Sequence, residues 1–344
     1  MRHLRRKERS DARSHCKAAR ATSDRAGREP GWEEATQAYN LAVSQRPALV
    51  ALPEDEQDVA EVVRYAAAHG LRVAPQRTGH GAEPLGPLDE AILLKTDRMQ
   101  GVEIDAERRV ARVRAGAKWE TVVPAASDLG LAALHGSTPD ACAVGYSLGG
   151  GVGWYARSLG LATNSVLVID LVTADGELRR VDAEHDRELF WALRGGGGNF
   201  GVVTALEFRL YAIREVYGGV LFFPWERSSE VLHAWLDWTR DVPDEVTSVG
   251  RILQFPPIPL VPEELRGKQF AVVEAVCLGD PAESAELLRP LRALGPYDAG
   301  RQYFNFTTDR TDPARFYPPD VYARLRAVKA RVDPGGLFLA NHPI

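Results

Sequence analysis

The first part of the chain alternates short apolar runs with helical periodicity. Residues 48–52 form an apolar run, and Gly70 ends the helical stretch that follows it. The positions at the spacing of one helix face are Val59, Val62, Val63 and Ala66. A second apolar run over residues 71–75 leads into a polar loop at residues 76–82. The pattern predicts a β–α–β unit that ends in a loop.

Further strands and helices are predicted as far as residue 210. Apolar runs predict strands at residues 91–95, 102–105, 110–115, 166–173, 177–181 and 202–210. Helical spacing predicts a helix that starts near Trp119 and ends near Gly130, and a shorter helix over residues 189–193. Residues 136–153 lose apolar periodicity and are rich in glycine. They are predicted to be a loop, and loops of this length are usually functional.

The rest of the chain predicts a second region with fewer elements. Strands are predicted at residues 219–223, 246–254 and 270–278, and a helix at residues 319–331. Further helices carry Val231, Leu232, Trp235, Leu287, Leu288 and Leu291 on their apolar faces. This pattern favours an antiparallel sheet covered by helices, so the predicted fold class is α+β.

Composition and charge narrow the function classes. The chain has 344 residues, of which 45% are hydrophobic and 26% charged, as in a globular protein. The net charge of −5 argues against a nucleic-acid or membrane partner. Residues 1–30 are strongly basic and are predicted to be a disordered tail. Three distant cysteines, Cys16, Cys142 and Cys277, indicate neither a disulfide framework nor a zinc site, so we expect a cytoplasmic protein without a metal.

Two glycine-rich segments predict a phosphate-bearing ligand. Residues 145–153 and 195–201 let backbone N–H groups approach an anion closely, because no Cβ intervenes. Residues 151–156 also fit the G-x-G-x-x-A fingerprint of nicotinamide cofactors, with Asp170 further on. That fingerprint requires a strand before its first glycine, and the preceding residues favour a loop. His80 lies between two glycines, where an exposed imidazole could act as a nucleophile toward an electrophilic cofactor.

Five motifs, in this order, resemble those of the berberine bridge enzyme-like flavoproteins. They cover residues 77–81, 136–140, 144–151, 197–204 and 333–341. These flavoproteins are FAD-linked oxidoreductases of the vanillyl-alcohol oxidase and p-cresol methylhydroxylase type. The resemblance implies a two-lobed FAD-binding domain and explains the glycines without a Rossmann fold.

The resemblance also implies site residues. His80 occupies the position whose imidazole bonds covalently to the flavin (8α-histidyl linkage), and Thr138 stands where some relatives have a second linking cysteine, so single attachment is expected. The other implied FAD-binding residues are Gln76, Arg77, Thr78, Gly79, Gly81, Ser137, Thr138, Pro139, Gly145, Leu148, Gly149, Gly150, Gly151, Gly153, Val203 and Asn341. Tyr303 and Asn305 resemble a catalytic Tyr-x-Asn element.

The expected organisation is an FAD-binding domain at residues 31–211, a short substrate domain at residues 212–299 and a returning segment at residues 300–344. Polar Arg251, Gln254 and Glu274 lie on predicted strands of the substrate domain and either face the flavin or face solvent. The domain is too short for the full sheet that the resemblance implies. A shortened sheet would leave an exposed strand edge, which makes an oligomer possible.

The implied activity is hydride transfer from an alcohol or amine carbon to flavin N5, with reoxidation by molecular oxygen. The substrate would be a sugar, an alcohol or a secondary metabolite. One alternative is a degenerate flavin-binding protein without turnover, because the substrate domain is short. A nicotinamide-dependent dehydrogenase is another.

Overall fold

The computed structural model describes residues 31–263, 265–296 and 319–332, together with residues 19, 20, 314 and 317. The chain divides into two compact units between Arg214 and Glu215. Both units combine helices with antiparallel strand pairs, which agrees with the α+β class.

The first unit contains nine strands and seven α-helices among the described residues. Its strands are β1 (Ala19–Arg20), β2 (Leu49–Ala51), β3 (Arg72–Gln76), β4 (Ala91–Lys95), β5 (Val102–Asp105), β6 (Val110–Arg114), β7 (Val166–Val172), β8 (Leu178–Asp182) and β9 (Val202–Arg209). Its helices are α1 (Trp32–Thr36), α2 (Glu56–His69), α3 (Trp119–Ser127), α4 (Ala143–Leu148), α5 (Ala156–Leu159), α6 (Ala162–Ser165) and α7 (Arg187–Gly196).

Strands β1 to β4 form a sheet in the order β1-β2-β4-β3. Strands β2 and β3 both run parallel to β4, and helix α2 makes the connection between them. The Asp55 side chain accepts hydrogen bonds from two backbone N–H groups of the first turn of α2, and Gly70 ends the helix in a left-handed conformation with φ 69°. The polar loop after β3 therefore leaves from the carboxyl edge of parallel strands, where side chains of α/β sheets commonly bind ligands.

Strands β5 to β9 form a second, antiparallel sheet in the order β5-β6-β9-β7-β8. One face packs on α3, α4 and α7 around a core that includes the fully buried Trp119, Leu193, Leu206 and Phe208. Helix α2 joins this sheet to the first one, because its buried face contacts Ile92 and Leu94 of β4 as well as Val172 and Val202. The two sheets therefore share one apolar cluster behind α2.

The second unit contains a three-stranded antiparallel sheet. Its strands are β10 (Tyr217–Pro224), β11 (Val246–Gln254) and β12 (Gln269–Cys277), in the order β10-β12-β11. Its helices are α8 (Ser228–Trp238), α9 (Pro281–Leu287), α10 (Arg289–Ala293) and α11 (Pro319–Val332). Val231 and Trp238 of α8 and Leu291 of α10 pack on one face of the sheet. The predicted antiparallel sheet with a helical cover is confirmed.

Three expectations need correction. Residues 143–148 form helix α4 within the segment predicted to be a loop, because Ala143, Val144, Ser147 and Leu148 turn a common face to the core. The periodicity also did not predict α1, α5 and α6, which have only four or five residues each. In the tail predicted to be disordered, Ala19 and Arg20 pair antiparallel with β2. Within the described residues, no helix is long and apolar enough to cross a membrane.

Candidate active site

His80 lies in the loop that follows β3 and is held from three sides. Its ring stacks on Tyr39, with centroids 3.7 Å apart and planes 15° from parallel. The Thr78 hydroxyl lies 2.8 Å from His80 Nδ1, and the Thr78 carbonyl accepts a hydrogen bond from the Tyr39 backbone N–H. Gly79 has φ 78°, and a Cβ there would lie 3.0 Å from the Ala38 backbone. The loop therefore needs glycine at position 79 to bring His80 against Tyr39.

Asp140 connects His80 to the glycine-rich segment. Its carboxylate Oδ1 lies 3.8 Å from His80 Nε2, and both side chains remain partly exposed, at 39% and 31%. The Pro139 carbonyl accepts a hydrogen bond from the Glu120 backbone N–H at the start of α3, which fixes the loop beside the second sheet. Residues from two separate loops thus meet at one imidazole.

A polar cluster beneath the loop fixes its backbone. The side chain of Lys95, 8% exposed, donates a hydrogen bond of 2.9 Å to the Arg77 carbonyl. The Arg77 guanidinium donates to Asp97 Oδ1 at 2.8 Å and to the Gly116 carbonyl at 3.0 Å. Burial lowers the pKa of Lys95, and the nearby Asp97 carboxylate partly opposes this. Arg77 is thus a structural anchor whose side chain points away from solvent.

The glycines of residues 136–153 divide into two groups. At Gly136, Gly151 and Gly153 a Cβ would clash with neighbouring atoms, most severely at Gly153, where it would lie 2.2 Å from the His135 carbonyl oxygen. At Gly145 a Cβ would have no atom within 4 Å. The first group is required for packing, whereas Gly145 leaves an open backbone surface that a ligand can approach.

Tyr146 lies under this loop. Its ring contacts Trp119 edge-on, with centroids 5.5 Å apart. Its buried hydroxyl has no hydrogen-bond partner in the part of the chain that the structure describes, and burial raises its pKa to about 12. A Cβ added at Gly136 or at Gly151 would approach this ring within 3 Å. The loop glycines are therefore packed around one neutral phenol.

The glycine-rich segment at residues 195–201 lies next to the end of β3 and to α4. Helix α7 continues into a turn at Gly197–Asn199, and α4 packs beside both. A Cβ at Gly198 would lie 3.7 Å from the Pro75 ring at the end of β3. The loops at residues 76–81, 137–153 and 195–201 thus converge at one edge of the first unit.

Several other implied residues serve the fold. The Gln76 amide is buried and exchanges two hydrogen bonds of 3.0 Å with Gln45. The side chains of Leu148 and Val203 lie in the apolar core, which leaves their backbone for any ligand contact. Cys142 donates from Sγ to the Ala115 carbonyl, and burial raises its pKa, as expected of a structural thiol.

Some of the predicted site residues lie outside the first unit. Tyr303, Asn305 and Asn341 lie outside the described residues. In the second unit, Arg251 and Glu274 form an ion pair on the sheet face opposite the helices. Gln254 is exposed at the end of β11.

The nicotinamide fingerprint lacks its structural context. Helix α4, not a strand, precedes Gly151. Asp170, which would bind a ribose, pairs instead with Arg112 at 2.6 Å and Arg180 at 3.0 Å across the second sheet. The phosphate-binding turn of a Rossmann fold is therefore not formed by residues 151–156.

Tyr39, Asp140, Lys95 and Asp97 were not predicted as part of this site. Asp140 belongs to one of the five motifs, but nothing in the sequence shows its contact with His80. Lys95 ends an apolar run, so its only signal was a charge at the end of a buried strand. Tyr39 lies in a stretch without periodicity.

Two family models match the sequence. The model of an FAD binding domain matches residues 47–182, and the model described as berberine and berberine like matches residues 302–344. The chain therefore contains an FAD binding domain and a berberine-like segment, and its curated relatives include FAD-linked oxidoreductases. The resemblance inferred from the motifs is confirmed.

Several curated relatives are named oxidases, and others are named FAD-linked oxidoreductases. (R)-6-hydroxynicotine oxidase of Paenarthrobacter nicotinovorans is 36% identical over 203 residues, which cover 59% of this chain and 44% of the relative. Glucooligosaccharide oxidase of Sarocladium strictum is 32% identical over 217 residues, which cover 61% of this chain and 43% of the relative. The chain spans about half the length of the curated relatives it matches.

Solved structures share the fold. Glucooligosaccharide oxidase from Acremonium strictum, described with a 6-S-cysteinyl, 8α-N1-histidyl FAD, matches with a TM-score of 0.69 and 26% identity over 82% of this chain and 56% of that chain. Physcomitrella patens BBE-like 1 matches with a TM-score of 0.69 and 22% identity over 83% of this chain and 59% of that chain. The p-cresol methylhydroxylase-type fold is thereby confirmed.

Proposed function

We propose that the chain binds FAD in its first unit and holds it covalently through His80. The observation that supports this most directly is that the loops at residues 76–81 and 137–153 meet at one exposed imidazole, with the segment at residues 195–201 at the same edge. A stacked, hydrogen-bonded histidine at the edge of a glycine-lined surface is suited to hold a cofactor with a pyrophosphate and a reactive ring.

The residues present fit the cofactor. A Cβ added at Gly81 or at Gly145 would have no atom within 4 Å, so the backbone of both residues is open to the pyrophosphate. Ser137, Thr138 and Pro139 directly precede Asp140, whose carboxylate faces His80. The other residues proposed to contact FAD are Thr78, Gly79, Gly149, Gly150, Gly151, Gly153 and Asn341, with backbone contributions from Gln76, Arg77, Leu148 and Val203.

Bound FAD supplies a two-electron acceptor for a hydride from an alcohol or amine carbon, and molecular oxygen returns it to the oxidised state. We propose that Tyr303 accepts the proton of the substrate hydroxyl or amine and that Asn305 orients the substrate. Since relatives are oxidases of oligosaccharides and of 6-hydroxynicotine, the proposed substrate is a small sugar, alcohol or amine.

The visible spectrum of the purified protein tests the cofactor, and acid precipitation tests its attachment. We expect a flavin spectrum whose colour stays with the pellet in wild type and leaves it in His80→Ala. His69→Ala is the matched control, because His69 is also an exposed histidine stacked on a tyrosine, with centroids 4.0 Å apart. A colourless protein that takes up no added FAD would contradict the proposal.

A flavin-binding protein without turnover is the second candidate. It is favoured by one observation, which is that the described part of the second unit has a sheet of only three strands while the chain covers about half of its relatives. A screen of sugars, alcohols and amines coupled to peroxide detection separates the two. Flavin-loaded protein that no substrate class reduces under anaerobic conditions supports the second candidate.

A further inference from the structure

Asp140 is the only acidic residue that the described part of the structure pairs with His80. Its Oδ1 faces Nε2 at 3.8 Å, and the Thr78 hydroxyl faces Nδ1 at 2.8 Å. The two ring nitrogens therefore have different neighbours, a carboxylate on one side and a hydroxyl on the other. This asymmetry decides where the single proton of a neutral imidazole is held.

A carboxylate can only accept, so the charge of Asp140 favours the proton on Nε2. Nδ1 then carries the lone pair and accepts a hydrogen bond from the Thr78 hydroxyl. The distance of 3.8 Å exceeds that of a hydrogen bond, and such contacts often shorten when a ligand fills the site. Stacking on Tyr39 fixes the plane of the ring, which keeps Nδ1 directed at Thr78 and Nε2 directed at Asp140.

We infer that Asp140 is a positioning residue for covalent flavin attachment. It holds the His80 proton on Nε2, so that Nδ1 is the nucleophile, and it receives that proton as Nδ1 becomes alkylated. This inference rests on the proposed FAD binding, and it assigns a role to a residue that does not itself contact the reacting carbon.

Attachment joins His80 to the flavin ring methyl in a two-electron step. His80 Nδ1 forms a bond to the methyl carbon, while one C–H bond of that methyl and the Nε2–H bond break. The methyl hydrogen and the electron pair pass to the flavin, and the Nε2 proton follows by way of the Asp140 carboxylate, which gives the dihydro form. Molecular oxygen then takes two electrons and two protons from it, which gives hydrogen peroxide and the oxidised, attached cofactor.

The test uses the full chain, purified without flavin and then incubated with FAD. Covalent product is followed over time as flavin fluorescence that stays with the denatured protein, and FAD affinity is measured separately in a His80→Ala background. Asp140→Asn keeps the size of the side chain and removes its charge. We expect unchanged affinity and attachment slowed about 100-fold, the lower end of what a positioned proton acceptor contributes.

Asp140→Glu should restore most of the rate, because it returns the carboxylate. Asp128→Asn, at the exposed end of α3, is the matched control and should attach flavin like wild type. Attachment at the wild-type rate in Asp140→Asn would overturn the inference. Loss of FAD affinity in both Asp140 variants would also overturn it, since that result indicates a structural role.

A second measurement does not depend on how the variants fold. Long-range ¹H–¹⁵N spectra of the wild-type chain without flavin report which nitrogen of His80 is protonated. The Nε2–H tautomer is expected, and an Nδ1–H tautomer would overturn the inference. If wild type attaches no flavin but binds it reversibly, the proposed attachment is wrong and this inference with it. A wild type that binds no FAD contradicts the proposed function as a whole.

Discussion

The imidazole of His80 and the phenol of Tyr39 lie 3.7 Å apart, nearly parallel, although 41 positions separate them in the chain. Tyr39 is 53% exposed, so the contact is not a consequence of burial in the core. Instead, the backbone hydrogen bond from Tyr39 to Thr78 places the two rings together. One face of the imidazole is covered by Tyr39 as a result.

Removing the aromatic ring at position 39 is expected to slow flavin attachment. An aromatic pair contributes about 0.5–1.5 kcal/mol, so Tyr39→Leu should reduce the attachment rate about two- to thirteenfold. Tyr39→Phe keeps the stacked ring and should behave like wild type. Time courses of covalent flavin fluorescence measure both. Equal rates in the Leu and Phe variants would show that stacking has no part in orienting His80.

Two glycine-to-alanine substitutions distinguish a glycine that is needed for packing from one that is proposed to contact FAD. Gly145→Ala should raise the free energy of unfolding by about 0.5–1 kcal/mol, because Gly145 lies within α4 and its Cβ side is open. The same variant should weaken FAD binding at least about fivefold, since the methyl group occupies the proposed contact surface.

Gly153→Ala is the matched packing variant of this pair. Its Cβ would meet the His135 carbonyl oxygen, so we expect a loss of about 1–3 kcal/mol in the free energy of unfolding. Urea denaturation and FAD titration are the measurements for both variants. Unchanged FAD affinity in Gly145→Ala would exclude α4 from the cofactor site.

Removing the charge of Asp97 is expected to lower the free energy of unfolding. Asp97→Asn leaves the partly buried Arg77 and Lys95 cations without their carboxylate. Because Asp97 is partly exposed, we expect a loss of about 2 kcal/mol, below the value for a fully buried pair. Urea denaturation checks this against Asp128→Asn, which should be neutral. Equal stability in the two variants would show that hydrogen bonds alone hold the Arg77 loop.

Tyr146 should make the fold sensitive to alkaline pH. Its pKa of about 12 in the folded state exceeds the value of about 10 expected when unfolded. Between these values the folded state binds more protons, so stability falls as pH rises. Tyr146→Phe should therefore lose less stability than wild type from pH 9 to pH 11. Parallel pH profiles of the two proteins would mean that the phenol ionises as freely in the fold as in the unfolded chain.

Many of the strands and the longer helices of both units follow from local patterns. Strands β4, β5 and β11 begin and end where apolar runs predict them, and Gly70 ends α2 as expected. Helix α4 was not predicted, because six residues containing Gly145 and Ser147 show no clear period. Its stability comes from packing against the second sheet rather than from helix propensity.

The site was predicted in part. His80 and the glycine loops have a sequence signal, because the absence of Cβ atoms around one imidazole has a direct physical meaning. The contacts of His80 with Tyr39 and Asp140 do not, since they depend on how separate loops fold together. The glycines also differ in a way that spacing does not reveal, as Gly153 is needed for packing and Gly145 is open.

The apolar cluster behind α2 has a consequence for motion. Because β4 and β9 bury residues in the same cluster, neither sheet can open to solvent without exposing the face of α2 that the other one uses. Amide hydrogens of the two sheets should then exchange with solvent through one shared opening event. A cofactor bound at the edge of this unit would then be held by loops whose supporting sheets open together, so its contacts with those loops would loosen at the same time.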